Sequence, residues 1–415
     1  MAHKYVKVKW NDRILTGFLL ERPQMLEQNY LVLKLDNGYN VGLKKNICEI
    51  IEERKIKDNE LKNNPKVKSS SNADVTIIST GGTISSKVDY LTGGVDTKIS
   101  ADHFINMIPN LKKYGDLDAE ILPNIMSEDI DFDYWKLLAD SIYKNIEDNP
   151  VVITHGTDTM HYSSSLMNFF VSGGKYPRIF TGAQRSIDRG SSDAFLNFES
   201  SVFTSLNLKS NESLVCMHSN INDNFCDVHH GTKVRKMHSS RRDAFKSINS
   251  KPVARVNVEK KSIDVLNDEI YHDTELKKDI SFDEKVAIQY IYPDMNPEVF
   301  NYYLENDYSG VILMGTGLGH IPINRTNILD KVKELEKEGI ITCVTSQTIH
   351  GSVNPNVYAN LRKLSKHSLY LGDMTTETAY LKLSWLLGHN ELSKEEVKRR
   401  MLKNYANEIS ERRIR

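Results

Sequence analysis

Polar and apolar residues alternate through the first fifty positions. Val6, Val8 and Trp10 share one face of such a run, as do Leu31, Leu33 and Leu35, the period of half-buried strands. Asp36-Asn37-Gly38 supplies a hairpin turn in which positive φ is easily adopted. The pattern predicts a small β-barrel over residues 1–51. A unit of that size buries little surface and leans on a neighbour or serves to bind one. From Glu52 to Ala73 the chain turns to Lys, Glu, Asn and Ser with almost no apolar periodicity, which predicts a polar linker or solvated helix.

From Asp74 the pattern changes to short apolar runs bounded by Gly, Asn or Asp. They are Val75 to Ser79, Val151 to Thr154, Arg178 to Phe180, Leu214 to Met217, Val311 to Met314 and Ile340 to Val344, the signature of buried parallel strands. Helical periodicity follows at Asp158 to Val171, Asp193 to Leu206, Thr326 to Glu338 and Asn356 to Lys366. Strand and helix in alternation predict an α/β sandwich with right-handed crossovers. The charged, irregular stretch from about 250 to 295 is read as holding a domain boundary, which divides the chain into 74–288 and 289–415. Ser393 and Glu396 form a capping-box signature for a final helix.

Composition changes this picture little. The 415 residues carry 54 Lys plus Arg against 55 Asp plus Glu, a formal net charge of -1, so nothing drives the whole molecule toward nucleic acid or an anionic membrane. No apolar run approaches the length that spans a bilayer. The opening Met1-Ala2-His3-Lys4-Tyr5 lacks the apolar core of a signal peptide, so a cytoplasmic location is expected. The four cysteines, Cys48, Cys216, Cys226 and Cys343, form no Cys-x-x-Cys pair and are expected to be reduced and mostly buried.

In an open parallel sheet the ligand site forms beyond the carboxyl ends of the strands. Two segments there bear hydroxyls. In Ser79-Thr80-Gly81-Gly82-Thr83-Ile84 a strand runs into paired glycines that expose Thr83; an ordinary Gly-rich turn has the same look, and a phosphate loop lacks its Gly-Lys-Ser/Thr ending. In Val151 to Met160 a strand runs into His155-Gly156-Thr157-Asp158, where Thr157 or Asp158 could simply cap the helix. Taken together the two turns suggest one pocket with threonine nucleophile chemistry, which needs a base and an oxyanion stabiliser. A base is available in the cationic stretch Gly231 to Asp243, where crowding and burial would lower the pKa of one lysine. That stretch also reads as a solvated loop, or as a nucleic-acid patch without interleaved aromatics. Cys216, His218, Cys226, His229 and His230 match no standard zinc spacing.

Thr80-Gly81-Gly82-Thr83-Ile84 and His155-Gly156-Thr157-Asp158-Thr159-Met160 resemble the two signature motifs of bacterial-type L-asparaginases and glutaminases. Further matches are Tyr90 in Asp89-Tyr90-Leu91, Ser127-Glu128-Asp129, Thr181 to Arg185, Lys236 with Phe245-Lys246-Ser247 following, and Gly315 to Gly319. Together they cover about 74 to 390. The N-terminal β module, the linker and the segments Arg185 to Asp193 and His229 to Asp243 narrow the likeness to the asparaginase-like subunits of archaeal tRNA-dependent amidotransferases.

The resemblance implies an asparaginase-like two-domain sandwich behind the small barrel, and hydrolysis of glutamine for its ammonia. A partner E subunit would spend ATP and Mg to activate the misacylated glutamate on Glu-tRNA(Gln) and amidate it, with no cofactor on this chain. It further implies a homodimer within a heterotetramer. Carried over by motif, Thr83 is the nucleophile and Tyr90 helps activate it. Thr157, Asp158 and Lys236 form the second catalytic group, with Asp158 meeting the substrate's α-amino group. Ser127 lies under the substrate carboxylate, and Glu128 stands where free asparaginases often carry Gln. The rival readings are a free-standing cytosolic L-asparaginase with the same residues, and an RNA-binding scaffold built on Lys233, Arg235, Lys236, Arg241 and Arg242.

Overall fold

A computed structural model describes residues 2–20, 29–35, 40–57, 73–81, 87–88, 95–96, 111–187, 191–267, 271 and 274–410. The first unit is an antiparallel sheet of β1 (Ala2–Trp10), β2 (Arg13–Leu20), β3 (Tyr30–Leu35), β4 (Asn40–Lys44) and β5 (Cys48–Lys57), in the order β4-β3-β2-β1-β5. Val6, Val8, Leu33 and Leu43 are its buried core, with Trp10, Leu31 and Leu35 packed against them, so the alternation picked out the inward face. The described pairings include no β4–β5 ladder that would close a barrel, and the turn read at Asp36 to Gly38 lies outside the described residues. Strand β5 runs to Lys57, past the point where apolar alternation stops. Glu52, Glu53 and Arg54 still pair with Lys7, Val6 and Tyr5, because ladder bonds are made by the backbone whatever the side chain.

The second unit is built on an eight-stranded sheet of β6 (Val75–Ser79), β7 (Leu117–Ile121), β8 (Val151–Thr154), β9 (Arg178–Thr181), β10 (Ser213–His218), β11 (Cys226–His230), β14 (Ala254–Asn257) and β15 (Ser262–Val265), interrupted in sequence by the short hairpin β12 (Val234–Lys236) and β13 (Phe245–Ser247). Its order is β15-β14-β11-β10-β9-β8-β6-β7. The ladders from β7 to β10 are parallel, and those from β10 to β15 antiparallel. The stretch expected to be irregular thus contributes two strands to this sheet and, at Val286–Tyr290, one to the sheet of the third unit.

Helices α1 (Phe132–Ile146) and α2 (Met160–Phe170) cover one face of the sheet, where Trp135, Leu138, Leu166 and Phe170 are buried. Helix α3 (Ala194–Asn207) covers the other, with Phe198 and Val202 packed near Ile77, Val152 and Ile179.

The third unit carries a parallel sheet, β16 (Val286–Tyr290), β17 (Gly310–Gly315), β18 (Ile341–Ser346) and β19 (Leu369–Tyr370), in that order. Around it lie α4 (Val299–Glu305), α5 (Ile328–Lys337), α6 (Ala359–Leu364), α7 (Thr376–Leu387) and α8 (Lys394–Met401). Helix α8 starts as its capping signature predicts, with the Ser393 hydroxyl oxygen accepting from Glu396 N at 3.2 Å. Helix α7 is buried nearly all round. It joins one continuous core with α1 and α2 and meets α2 through the Ser165–Thr378 hydroxyl pair at 3.0 Å. A helix with no solvent face shows no amphipathic period, which is why the apolar pattern passed it by.

No helix among the described residues is long and apolar enough to cross a membrane. Cys216, Cys226 and Cys343 are buried free thiols, and Cys48 is a half-buried one.

Candidate active site

The three central strands end level. Ser79 pairs with Thr154, and Thr154 with Thr181, so the turns that leave β6, β8 and β9 emerge side by side at the carboxyl edge. Each is shaped by a close approach. Gly81 has φ of +101°, and a Cβ there would lie 1.8 Å from Asn124 Oδ1. Gly156 lets Ser127 pack against it, since an added Cβ would stand 2.6 Å from the serine's own Cβ. On Gly182 it would meet the His155 carbonyl oxygen at 2.6 Å and Thr157 Cγ2 at 3.1 Å.

The turn after β8 does not end in a side-chain cap. Helix α2 begins at Met160 with no side-chain bond at its N-cap, and the two residues that could have capped it reach instead toward a lysine. Lys236 Nζ donates to Thr157 Oγ1 at 2.9 Å and to Asp158 Oδ1 at 2.7 Å. The lysine side chain is 10% exposed and that of Asp158 67%, so the group sits at the floor of an open edge. An ion pair so exposed contributes about 0–1 kcal/mol, too little to explain it as a stabilising device.

Ser127 opens a short 3-10 helix and is buried, and its carbonyl accepts from Thr159 Oγ1 at 2.6 Å. Glu128 follows it and is exposed. Thr157, Asp158, Lys236 and Ser127 are therefore gathered at one edge, while Thr83 and Tyr90 lie outside the described residues.

The cationic stretch is not the free basic patch it looked to be. Every residue of the RNA-scaffold reading has a carboxylate: Lys233 with Asp373, Arg235 with Glu377 at 3.1 Å, Lys236 with Asp158, Arg241 with Asp243 at 2.9 Å, and Arg242 with Asp223. Cations already neutralised in this way release few counterions from a phosphate backbone. The lysine whose pKa burial pushes down is Lys233, and its ammonium is held by Asp373 and Ser410, not by a threonine.

Sequence reasoning missed the support behind the third turn. Asp193 does not cap α3; its buried carboxylate accepts from Gln184 N and Arg185 N at 3.0 Å each. Asn197 donates to it at 3.0 Å and to the Gly182 carbonyl at 2.9 Å, and faces His218 Nδ1 at 2.6 Å. Only the position of Asp193 before a helix hinted at a hydrogen-bonding role. Burial raises its pKa, opposed by the backbone bonds from Gln184 and Arg185.

His229 and His230 pair with Ser247 at 2.7 Å and Glu212 at 2.8 Å. No cluster of three or more metal-ligating side chains occurs among the described residues.

Beneath the site His155 is fully enclosed. Its Nδ1–H donates to the Gly156 carbonyl at 2.7 Å, and its Nε2 accepts from the Ser163 hydroxyl at 2.8 Å. Ser163 in turn accepts from Trp135 Nε1 at 2.9 Å. Burial pushes the pKa of His155 down to about 4, and those of His161 and His229 to about 3 and about 4. These imidazoles are neutral in the native state, so between about pH 6.5 and 4 the unfolded chain takes up protons that the native chain refuses. Stability is therefore complete above pH 6.5 and falls below it, each histidine removing about 1.4 kcal/mol per pH unit until its own native pKa is reached. Denaturant midpoints at pH 7.5, 6 and 5 measure this; an unchanged midpoint contradicts the neutral assignment.

Family comparisons agree with this geometry. Residues 74–271 match the asparaginase N-terminal family, 285–401 the glutaminase/asparaginase C-terminal domain, and 2–52 the GatD N-terminal domain. Among solved structures, the thermostable L-asparaginase from Thermococcus kodakarensis superposes with a TM-score of 0.73 at 28% identity, over 81% of this chain and 99% of that one. L-asparaginase I from Vibrio cholerae gives 0.70 at 26% identity, over 82% and 100%. The fold and the gathered Thr, Asp and Lys thus define an asparaginase-class protein.

Relatives over nearly the full length narrow the class. The D subunit of glutamyl-tRNA(Gln) amidotransferase from Thermofilum pendens is 41% identical over 98% of this chain and 92% of its own length. Its counterpart from Pyrococcus horikoshii is 41% identical over 96% and 91%, and that from Methanococcus maripaludis 40% over 98% and 97%. This chain belongs to the family of glutamyl-tRNA(Gln) amidotransferase D subunits.

Proposed function

We propose that the chain hydrolyses glutamine to supply ammonia for converting Glu-tRNA(Gln) to Gln-tRNA(Gln), within an amidotransferase completed by an E subunit. The observation that carries the reading is the hydrogen-bonded group of Lys236, Thr157 and Asp158 at the carboxyl edge of the sheet. In this reading the Thr83 hydroxyl attacks the side-chain amide carbonyl, with Tyr90 assisting. The carbon–nitrogen bond breaks, the leaving nitrogen takes a proton and departs as ammonia, and a γ-glutamyl ester remains. Water attacks the ester, releasing glutamate and restoring the hydroxyl.

Thr157 and Lys236 carry the proton. At 2.9 Å the two groups are in direct hydrogen-bond contact, the reach that proton transfer between them requires. Asp158 receives the substrate's α-ammonium, and its exposed carboxylate suits that role. Ser127 and Glu128 contact the α-groups from the neighbouring short helix. The chain holds no cofactor of its own; Mg-ATP acts in the E subunit, which activates the tRNA-bound glutamate. We further propose a homodimer within a heterotetramer, located in the cytoplasm.

The free-standing asparaginase reading uses the same residues and differs in partner dependence. Turnover of glutamine and asparagine by the purified chain, with and without the E subunit and Glu-tRNA(Gln), separates them. Glutamine hydrolysis that is weak alone and rises at least tenfold in the full assembly is expected. Fast asparagine hydrolysis indifferent to the partner overturns the proposal.

A further inference from the structure

One part of the cationic stretch has no place in the chemistry above. Lys233 is buried, yet its ammonium does not reach the site. It belongs to a knot tied by the last described residues of the chain. Lys233 Nζ donates to Ser410 Oγ at 2.8 Å and to Asp373, whose second oxygen accepts from Ser410 N at 3.0 Å. One residue earlier, the Thr232 hydroxyl donates to the Ala406 carbonyl at 2.7 Å, and the Thr232 carbonyl accepts from Thr378 Oγ1 at 2.8 Å. Asn407 donates to Glu212 at 2.7 Å, the carboxylate that also holds His230.

Ala406 and Ser410 therefore bind Thr232 and Lys233 on one side of the knot, while Thr378 of α7 and Asp373 bind the same two residues. Three residues further on stands Lys236, on a strand of three residues whose only ladder among the described residues is the hairpin with β13. So short a hairpin cannot fix its own place by its ladder; Val234 and Phe245 seat it in the core and Arg235 pairs with Glu377, and the ammonium and hydroxyl anchored at its root hold the chain where it enters the hairpin. The exposed Asp158 is a weak tether for Lys236 at the other end.

We propose that the C-terminal segment Lys403–Ser410 is a strap that sets the position of Lys236, acting through Thr232 and Lys233, so that Lys233 is a positioning residue for the Lys236–Thr157 contact. The inference rests on the glutaminase reading for its activity readout and on geometry alone for a second one.

The test uses the assembled enzyme with Lys233→Met, Lys233→Arg and Ser410→Ala. Glutaminase kcat and KM, ammonia-dependent amidation, and amide hydrogen exchange over 231–237 are measured on the same samples. For Lys233→Met the expected result is a kcat at least tenfold lower at a KM within twofold, with ammonia-dependent amidation unchanged. Exchange over 231–237 should be at least tenfold faster while that of 151–154 is unaltered. Lys233→Arg should recover most of the kcat, and Ser410→Ala should fall between.

An unchanged kcat, or exchange that quickens equally throughout the chain, overturns the strap. Loss of ammonia-dependent amidation as well assigns the residue to assembly and overturns it too. A wild-type assembly that hydrolyses no glutamine overturns the glutaminase reading instead, and the exchange pattern still decides the strap.

Discussion

Replacing Lys236 with methionine lowers glutamine-dependent amidation by the assembled enzyme about 10²–10⁴-fold, the range for removing a positioned proton-transfer group, and leaves amidation from free ammonia near its wild-type rate. Lys236 is the only residue seen to bond both Thr157 and Asp158 among the described residues, so on the proposed reading its loss removes the proton partner of Thr157 and the tether of Asp158 together. Thr157→Ala and Thr83→Ala share the outcome if the glutamine is opened by threonine chemistry. Ammonia supplied in the medium bypasses that step, since the proposed reading assigns activation and transfer to the E subunit. Stability should hardly move, since the Asp158 carboxylate is exposed and such a pair contributes about 0–1 kcal/mol. Lys236→Arg does not restore the rate: a guanidinium stays protonated and cannot take the hydroxyl proton. Parallel assays with glutamine and with ammonium chloride check this, and loss of both activities would mean the substitution breaks assembly.

The largest stability effect is expected at Lys382→Met. Lys382 and Glu408 are fully buried and pair at 2.7 Å. The other two ammonium protons go to the carbonyls of Met401 at 2.9 Å and Lys403 at 2.5 Å. Glu408 accepts from Tyr405 N and Ala406 N at 3.0 Å and 2.7 Å. Burial lowers the pKa of the lysine, opposed by the adjacent Glu408 carboxylate. Removing it strands a buried carboxylate and two buried carbonyls, and breaking such a pair costs about 3–5 kcal/mol. The double variant Lys382→Met/Glu408→Leu removes the uncompensated charge and recovers part of the loss; the backbone groups left unpaired account for the remainder. Denaturant midpoints of the three proteins measure both effects, and a single variant as stable as wild type would contradict the account.

These two sites were unequally legible. The Lys236 site was readable because its parts sit in short motifs after apolar strands, and parallel strands in register bring the ends of neighbouring runs together. The capping alternative for Thr157 and Asp158 could not be set aside in one dimension, since a helix start and a catalytic turn use the same residue types. The lysine 79 residues away from Thr157 decided it. The Lys382–Glu408 pair left no trace in the pattern, because a charged residue in an unamphipathic segment reads as surface. The five cations from Lys233 to Arg242 read as a patch because their carboxylate partners come mostly from other parts of the chain.

By itself the sequence determined the six buried strands β6, β8, β9, β10, β17 and β18, the helices α2, α3, α5, α6 and α8, the turn that carries Thr157, and the inward face of the N-terminal sheet. Those are local properties, dictated by side-chain period and by glycines where only glycine fits. Spacing left open which lysine meets Thr157, the motif resemblance pointed to Lys236 and the structure shows the contact; tertiary structure alone decided that Lys233 is locked beneath the C-terminal segment and which acid holds each cation. An ammonium finds its partner by distance in space, and distance in space is set by how the sheets and helices pack, not by spacing along the chain.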